Sequence, residues 1–336
     1  LKKICHYSKY NYIIQSYYLC FALGALQIQT ELSHPRAYKP KGETTKMESI
    51  QFQKPETVDE AVKLLQGAGG DARILAGGTD LLVQLRAHMI DPSVIVDIKS
   101  IDETRELKKN ADGSYTIGAA VAGAEAHERE DITADWPGVI EAWDLIGSTQ
   151  IQGRASLGGN LCNASPAGDS VPAMVAAGMT ANIAGPDGRR TLPVEEVTAG
   201  PGKTNLKKGE FIVSFNLPAK PSNGGDAYLR LIPRTEMDIA VVGCGVALTL
   251  DDSGTVTSAK VSLGAVAATV LVVEDAAKAI IGTKLEPEAM SALDAACQAA
   301  CKPIDDKRGT VEYRTKVAGV LGRRAVSIAA ERAGKN

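Results

Sequence analysis

The 336-residue sequence has little aromatic content, 4%, with four histidines and two tryptophans. Its six cysteines, Cys5, Cys20, Cys162, Cys244, Cys297 and Cys301, form no C-x-x-C pair. A metal site needs clustered thiolate or imidazole ligands, so no metal is expected. Cys297 and Cys301 stand four apart in an alanine-rich segment, the spacing of packed neighbours on one helix face. A chain of this length buries a sizeable core without disulfide staples, and scattered thiols suit a reducing compartment. There is no excess of basic charge either. Of 37 Lys+Arg and 40 Asp+Glu, seven basic and two acidic residues lie in 1–46, so the remainder carries 30 against 38 and offers no nucleic-acid patch. The uncharged run over 10–30 is interrupted by Asn11, Gln15, Ser16, Gln27 and Gln29, which makes it a poor membrane span.

Residues 1–46 differ from the rest: they hold six of nine tyrosines, and Met47 opens an ordinary domain start, "MESIQFQKPETVDEAVKLL". They are expected to be a non-domain leader, disordered or translated from upstream, that only loosely resembles a signal sequence. Beyond it, "TVDEAVKLLQ" reads as a helix capped by Thr57 with Glu60 three residues later. "ARILA" reads as a strand, "GGTD" as a turn, "LLVQLRAHM" as a helix and "SVIVDI" as a second strand, which together make a small α/β lobe. "GVIEAWDLIG" is helical, with Val139, Ile140, Trp143 and Ile146 on one face. The stretch Gly147–Asp169 is expected to be a long functional loop. "KPSNGGD" is a linker, followed by a three-stranded antiparallel meander and three helical segments. The expected domains are 47–223 and 224–336.

Two glycine pairs carry the chemistry. In "RILAGGTDLLV" a strand breaks at Gly77-Gly78 and resumes as a helix, so main-chain N–H groups can converge on an anion without Cβ interference. This turn has neither Rossmann nor P-loop spacing. "SLGGN", Ser156 to Asn160, repeats the pattern. Two such turns suit a ligand with two phosphates, and a dinucleotide would satisfy both. Either pair could also be a plain turn, and Asp169 could be a helix N-cap, a ligand contact or both.

Together, "ILAGGTDLLV", "IGSTQIQGRASLGGNLCNASPAGDSVPA", "GEFIVSFNLP" and "AYLRLIPRTEMDIAVV" resemble the FAD-binding medium subunit of the molybdenum hydroxylases, in order over about 47–330. This family includes the carbon monoxide dehydrogenase, xanthine dehydrogenase and 4-hydroxybenzoyl-CoA reductase types. The resemblance implies an α+β fold: a two-lobed FAD-binding domain of the vanillyl-alcohol-oxidase type, then a small C-terminal domain with a three-stranded antiparallel sheet and helices. It implies FAD as cofactor. Arg73, Leu75, Ala76, Gly77, Gly78, Thr79, Asp80 and Leu81 would wrap the pyrophosphate. Ser156, Gly158, Gly159 and Asn160 would form a second clamp, Asp169 would hold the flavin chain, and Ile146 and Ile212 would make apolar contacts. Arg230 stands where lysine is usual. Gln152 and Gly153 replace the usual Arg-Asn pair, and no cysteine-rich insertion for an extra iron–sulfur cluster is present.

The same resemblance implies an electron-transfer subunit. A molybdopterin-containing large subunit and a [2Fe–2S] small subunit would be its partners, in a dimer of heterotrimers, with NAD, a quinone or oxygen as acceptor. No catalytic residue of its own is expected, because the flavin carries the redox chemistry. His88 and His127 have no evident partner, Lys203, Lys207 and Lys208 read as a solvated turn, and Arg234 and Asp238 as either a site pair or an internal salt bridge. With no export signal, the location is expected to be cytoplasmic. A self-sufficient FAD oxidoreductase of the same fold and a non-catalytic nucleotide-binding docking module are the alternatives.

Overall fold

The structure, a computed structural model, describes residues 50–334, and the leader expectation falls outside them. The first lobe is a small parallel sheet in the order β1–β3–β2. Its strands are β1 (Gln51–Gln53), β2 (Ala72–Leu75) and β3 (Val94–Asp97). Helix α1 (Val58–Gly67) leads from β1 to β2. Thr57 caps it, its hydroxyl accepting the Glu60 N–H at 3.2 Å, while the Glu60 carboxylate accepts the Glu56 N–H at 2.9 Å. These two bonds satisfy N–H groups that the first helical turn leaves open. Its apolar face, Val58, Ala61 and Leu65, is buried with Val96 and Ile98. Helix α2 (Leu81–Arg86) leads from β2 toward β3.

The second lobe is an antiparallel sheet in the order β4–β5–β8–β6–β7. Its strands are β4 (Leu107–Lys109), β5 (Tyr115–Gly118), β6 (Thr180–Gly185), β7 (Gly188–Pro193) and β8 (Phe211–Leu217). Its central strand β8 is buried at six of its seven residues, as expected where both faces are covered. Phe215 and Tyr115 pack with Trp143 of helix α3 (Pro137–Asp144) in the main core. Phe211 and Val213, on the same strand, join the core of the first lobe.

The expected loop Gly147–Asp169 is instead interrupted by two short helices, α4 (Thr149–Gln152) and α5 (Leu157–Cys162). "SLGGN" is therefore a capped helix start and not a turn. Ser156 is the N-cap, and its hydroxyl accepts the Gly159 N–H at 3.1 Å. Glycine is a weak helix former, but a Cβ on Gly158 would lie 2.5 Å from the Ala119 carbonyl oxygen, so close packing on the second lobe selects it. Helix α6 (Ser170–Ala176) follows, and all seven of its residues are buried.

The C-terminal domain is an antiparallel sheet of β9 (Gly224–Leu231), β10 (Val242–Leu250), β11 (Val256–Gly264) and the two-residue β12 (Leu271–Val272). The fourth strand adds to the expected meander; it is too short to leave an alternating pattern. Helices α7 (Glu274–Ile280), α8 (Pro287–Ala300) and α9 (Val311–Ala333) complete the domain. Cys297 is buried in this core, and its sulfur would meet a Cβ on Gly322 of α9 at 2.9 Å, which is how α8 and α9 approach so closely. The sheet seats directly on α6: a Cβ on Gly245 would lie 2.4 Å from the Pro172 carbonyl oxygen, and Ser262 Oγ donates to that oxygen at 2.5 Å.

Candidate FAD site

A cavity of about 630 Å³ opens where the two lobes meet, within the usual range of about 300–1,000 Å³ for small-molecule and cofactor sites. The β2–α2 turn forms one wall. Ala76, Gly77, Gly78, Thr79, Asp80 and Leu81 all line it, with Arg73 and Ile74 from β2. The N-terminus of α5 forms the facing wall, with Ser156, Gly158, Gly159 and Asn160. Ile146 and Ile212 supply apolar surface. The cavity thus brings together the two glycine stretches, which are nearly eighty residues apart in sequence.

The two stretches touch. A Cβ on Gly77 would lie 1.9 Å from the Arg154 carbonyl oxygen, so only glycine lets the turn pack on the segment before α5. Gly78 has φ +83°, in the left-handed region, where glycine carries no steric penalty. Among the described residues, the N–H groups of Gly77, Gly78, Thr79 and Asp80 find no acceptor, nor do those of Leu157 and Gly158 at the start of α5. Main-chain donors left open at facing walls of a cavity form an anion cradle. The donor set suits a ligand with two phosphates, such as a dinucleotide, and Ile146 and Ile212 add apolar surface to the same cavity.

Three of the expected site residues do not line the cavity: Leu75, Asp169 and Arg230. Leu75 is buried. Asp169 precedes α6 but makes no capping bond through its side chain. Its carboxylate accepts from Arg230 Nη1 at 2.7 Å and from the Tyr228 hydroxyl at 3.1 Å. Burial pushes the Asp169 carboxyl up, opposed by the Arg230 charge, and pushes the Tyr228 hydroxyl well above its usual range. Arg230 also donates to the Leu145 carbonyl at 2.9 Å, next to Ile146 on the cavity wall. Asn160 lines the wall while its side-chain oxygen accepts from Ser170 Oγ at 2.8 Å, tying α5 to α6.

Other residues singled out in the sequence also find their places. Lys208 is an exposed turn residue, as expected, and it also lines the cavity, while the neighbouring Lys207 N–H donates to Glu210 at 2.6 Å. His127 does have a partner, Asp144 Oδ2 at 2.5 Å from Nδ1. Arg234 and Asp238 form the internal salt bridge, at 3.3 Å, and Arg308 stands 3.5 Å from the same carboxylate. Gln152 sits in α4 and donates to the Asp144 carbonyl. Sequence reasoning missed Lys99, whose ammonium donates to the Ala76 carbonyl at 2.9 Å behind the turn. It also missed the apolar rim: α2 has no buried residue, and Leu82, Val83 and Met89 beside the cavity are each more than half exposed. Desolvation raises the Asp80 carboxyl on the cavity wall.

Comparison with known proteins accounts for this architecture. Residues 48–220 match the FAD binding domain in molybdopterin dehydrogenase, and 227–329 match the CO dehydrogenase flavoprotein C-terminal domain. The chain is 33% identical to the carbon monoxide dehydrogenase medium chain of Afipia carboxidovorans, over 85% of this chain and 98% of that one. It is 28% identical to a putative xanthine dehydrogenase FAD-binding subunit of Escherichia coli K12, over 84% and 97% of the two chains. Among solved structures, Cu,Mo-CO dehydrogenase in its cyanide-inactivated form matches with a TM-score of 0.80 and 32% identity, over 84% of this chain and 98% of that one. The chain belongs to the FAD-binding medium-subunit family of the molybdenum hydroxylases, and its cofactor is FAD.

Proposed function

We propose that this chain is the electron-transfer flavoprotein of a molybdenum hydroxylase complex. It accepts electrons from the [2Fe–2S] clusters of a small partner subunit and passes them to an external acceptor, NAD, a quinone or oxygen. The organic substrate is oxidised on a molybdopterin-containing large subunit, in a cytoplasmic dimer of heterotrimers. The single observation that carries this reading is the cavity itself. Its two walls offer open main-chain N–H groups from both glycine stretches, with apolar surface from Ile146 and Ile212 beside them. Such a site suits a cofactor that carries the redox chemistry itself. When bound, FAD would supply a redox centre able to exchange electrons singly or in pairs.

The chain's own residues bind and orient. The Gly77–Asp80 N–H groups and those of Leu157 and Gly158 would hold the diphosphate. Ile146 and Ile212 keep water from the ring end, and Lys208 and Arg73 balance the ligand's negative charge. Asp169 and Arg230 act from behind this wall, fixing the segment that carries Ile146. The exposed apolar rim on α2 suits a protein partner that closes over the cavity mouth and shortens the electron path. The FAD-binding domain is taken as 47–223 and the C-terminal domain as 224–336.

Spectroscopy of the full chain, alone and assembled, tests this reading. The chain alone should carry one FAD without iron–sulfur absorbance, and its flavin should bleach when reduced [2Fe–2S] partner is added but not with the organic substrate. Bleaching of the isolated chain by an organic substrate would overturn it in favour of a self-sufficient oxidoreductase. A flavin that stays oxidised in the turning-over complex would make the chain a docking module.

A further inference from the structure

The peptide that opens the cradle turn, between Ala76 and Gly77, is held from behind by a cation. Lys99 Nζ lies 2.9 Å from the Ala76 carbonyl oxygen and 2.5 Å from Asp97 Oδ1. The same Asp97 oxygen accepts the Lys99 backbone N–H at 3.1 Å, so the carboxylate fixes both ends of the lysine it pairs with. Asp97 is buried at the end of β3. Leu75 stands opposite it in the parallel ladder, so the ammonium reaches the first residue beyond β2, where strand becomes turn.

The direction of that carbonyl matters because a trans peptide points its oxygen and its N–H to opposite sides. No cis peptide occurs among the described residues. An ammonium on the Ala76 oxygen therefore turns the Gly77 N–H away from Lys99 and strengthens it as a donor through the shared peptide unit. Gly77 lines the cavity, and its N–H has no acceptor among the described residues. The next carbonyl is treated alike: Arg154 Nε lies 3.4 Å from the Gly77 oxygen. Two successive peptides thus present their oxygens to cations. Neither Lys99 nor Asp97 lines the cavity.

We propose that Lys99, locked by Asp97, is a positioning residue of the FAD site: it sets the orientation of the Ala76–Gly77 peptide so that the Gly77 N–H meets the cofactor's diphosphate. This rests on the placement of the diphosphate at the β2–α2 turn. Lys99 acts through the turn and makes no contact with FAD. A lysine serving only to join strand ends would leave the phosphorus environment of the bound cofactor unchanged.

The test uses the full chain as wild type, Lys99→Met, Lys99→Arg and Gly159→Val. FAD dissociation constants are measured by fluorescence titration of the apoprotein, bound FAD by 31P NMR, and the apoprotein by thermal denaturation. Lys99→Met should weaken FAD by about ten- to hundredfold, the loss expected for a charge-assisted hydrogen bond. It should move the 31P resonances of the bound diphosphate, and the fall in apoprotein melting caused by the stranded Asp97 carboxylate should be reversed by adding Asp97→Asn without recovery of the FAD affinity. Lys99→Arg, which can donate to the same carbonyl, should restore most of the affinity. Should Lys99→Met fail to fold, Lys99→Leu, which likewise cannot donate to the Ala76 carbonyl, takes its place with the same readouts. Unchanged affinity and 31P shifts in Lys99→Met, with FAD lost from Gly159→Val, would overturn the role of Lys99 alone. Full FAD retention by Gly159→Val would overturn the placement of the diphosphate, and the role of Lys99 with it. A lowered apoprotein melting point that Lys99→Arg does not rescue would make Lys99 merely structural.

Discussion

Asp169 and Arg230 form a 2.7 Å ion pair with side chains 10% and 5% exposed, joining the segment before α6 to β9 of the C-terminal domain. Removing one partner of a buried pair leaves the other charge uncompensated, at a cost of about 3–5 kcal/mol. Arg230→Met should therefore lower the apoprotein melting temperature substantially, as measured by calorimetry. Adding Asp169→Asn should recover part of the loss, because the stranded charge is removed. A double variant no more stable than Arg230→Met would mean that the pair contributes through its hydrogen bonds to Tyr228 and Leu145 alone.

Gly77 makes a sharper prediction. Its missing Cβ is replaced by the Arg154 carbonyl oxygen, 1.9 Å from where the Cβ would stand, and backbone cannot step aside as a side chain can. Gly77→Ala should separate the turn from the segment before α5, so that both walls of the cavity lose their spacing and FAD is not retained. At Gly159 the nearest atom is a rotatable hydroxyl, Ser156 Oγ, at 3.2 Å. Gly159→Ala should keep FAD within a few-fold of wild type, whereas Gly159→Val reaches into the cavity and should lose it. Equal retention by Gly77→Ala and Gly159→Ala would contradict the argument from backbone contact.

Much of this was visible in the sequence where the cause is local. Thr57 and Glu60 are three apart and cap a helix by their own side chains, and the β2–α2 turn announces itself through adjacent glycines. The N-terminus of α5 is hard to read from sequence because Gly158 answers to Ala119, a residue about forty positions away, and not to the helix it sits in. Ser156 does carry the local signal, a hydroxyl three residues before the N–H it accepts, but the glycines outweighed it. Lys99, Lys208 and the partner of His127 were hidden for the same reason as the role of Arg230. Their contacts cross between elements, and no periodicity or spacing rule records which carbonyl a lysine will meet.

Ser156 can be tested as a cap and as a wall of the site together. Ser156→Ala frees the Gly159 N–H from its side-chain acceptor and should cost about 1 kcal/mol. Thr57→Ala should cost a similar amount in the first lobe while leaving FAD affinity unchanged, because α1 is capped away from the cavity wall. Ser156→Ala should lower both stability and FAD affinity. If titration shows both variants binding FAD as wild type does, α5 is held by its packing on Ala119 and not by its cap.

Asp226 makes the stability of the protein depend on pH. It is 3% exposed on β9 and accepts the Val139 N–H of α3 at 3.0 Å, and its second carboxylate oxygen finds no partner among the described residues. Burial, the largest influence, pushes its pKa from 3.8 up to about 6, against the opposing pull of the Gly138 and Val139 N–H groups and Arg332. The folded chain therefore keeps a proton between pH 4 and 6 that the unfolded chain has released. Over that window stability falls as pH rises, and above it the loss levels off at about 3 kcal/mol, since each tenfold gain in proton affinity on folding is worth about 1.4 kcal/mol. Asp226→Asn cannot ionise but keeps an oxygen for the Val139 N–H. Denaturant unfolding from pH 4 to 8 should show this contribution in the wild type and its absence in Asp226→Asn, with the variant gaining relative stability toward pH 8. A constant difference between the two proteins across that range would mean that Asp226 ionises in the folded state as freely as in the unfolded one.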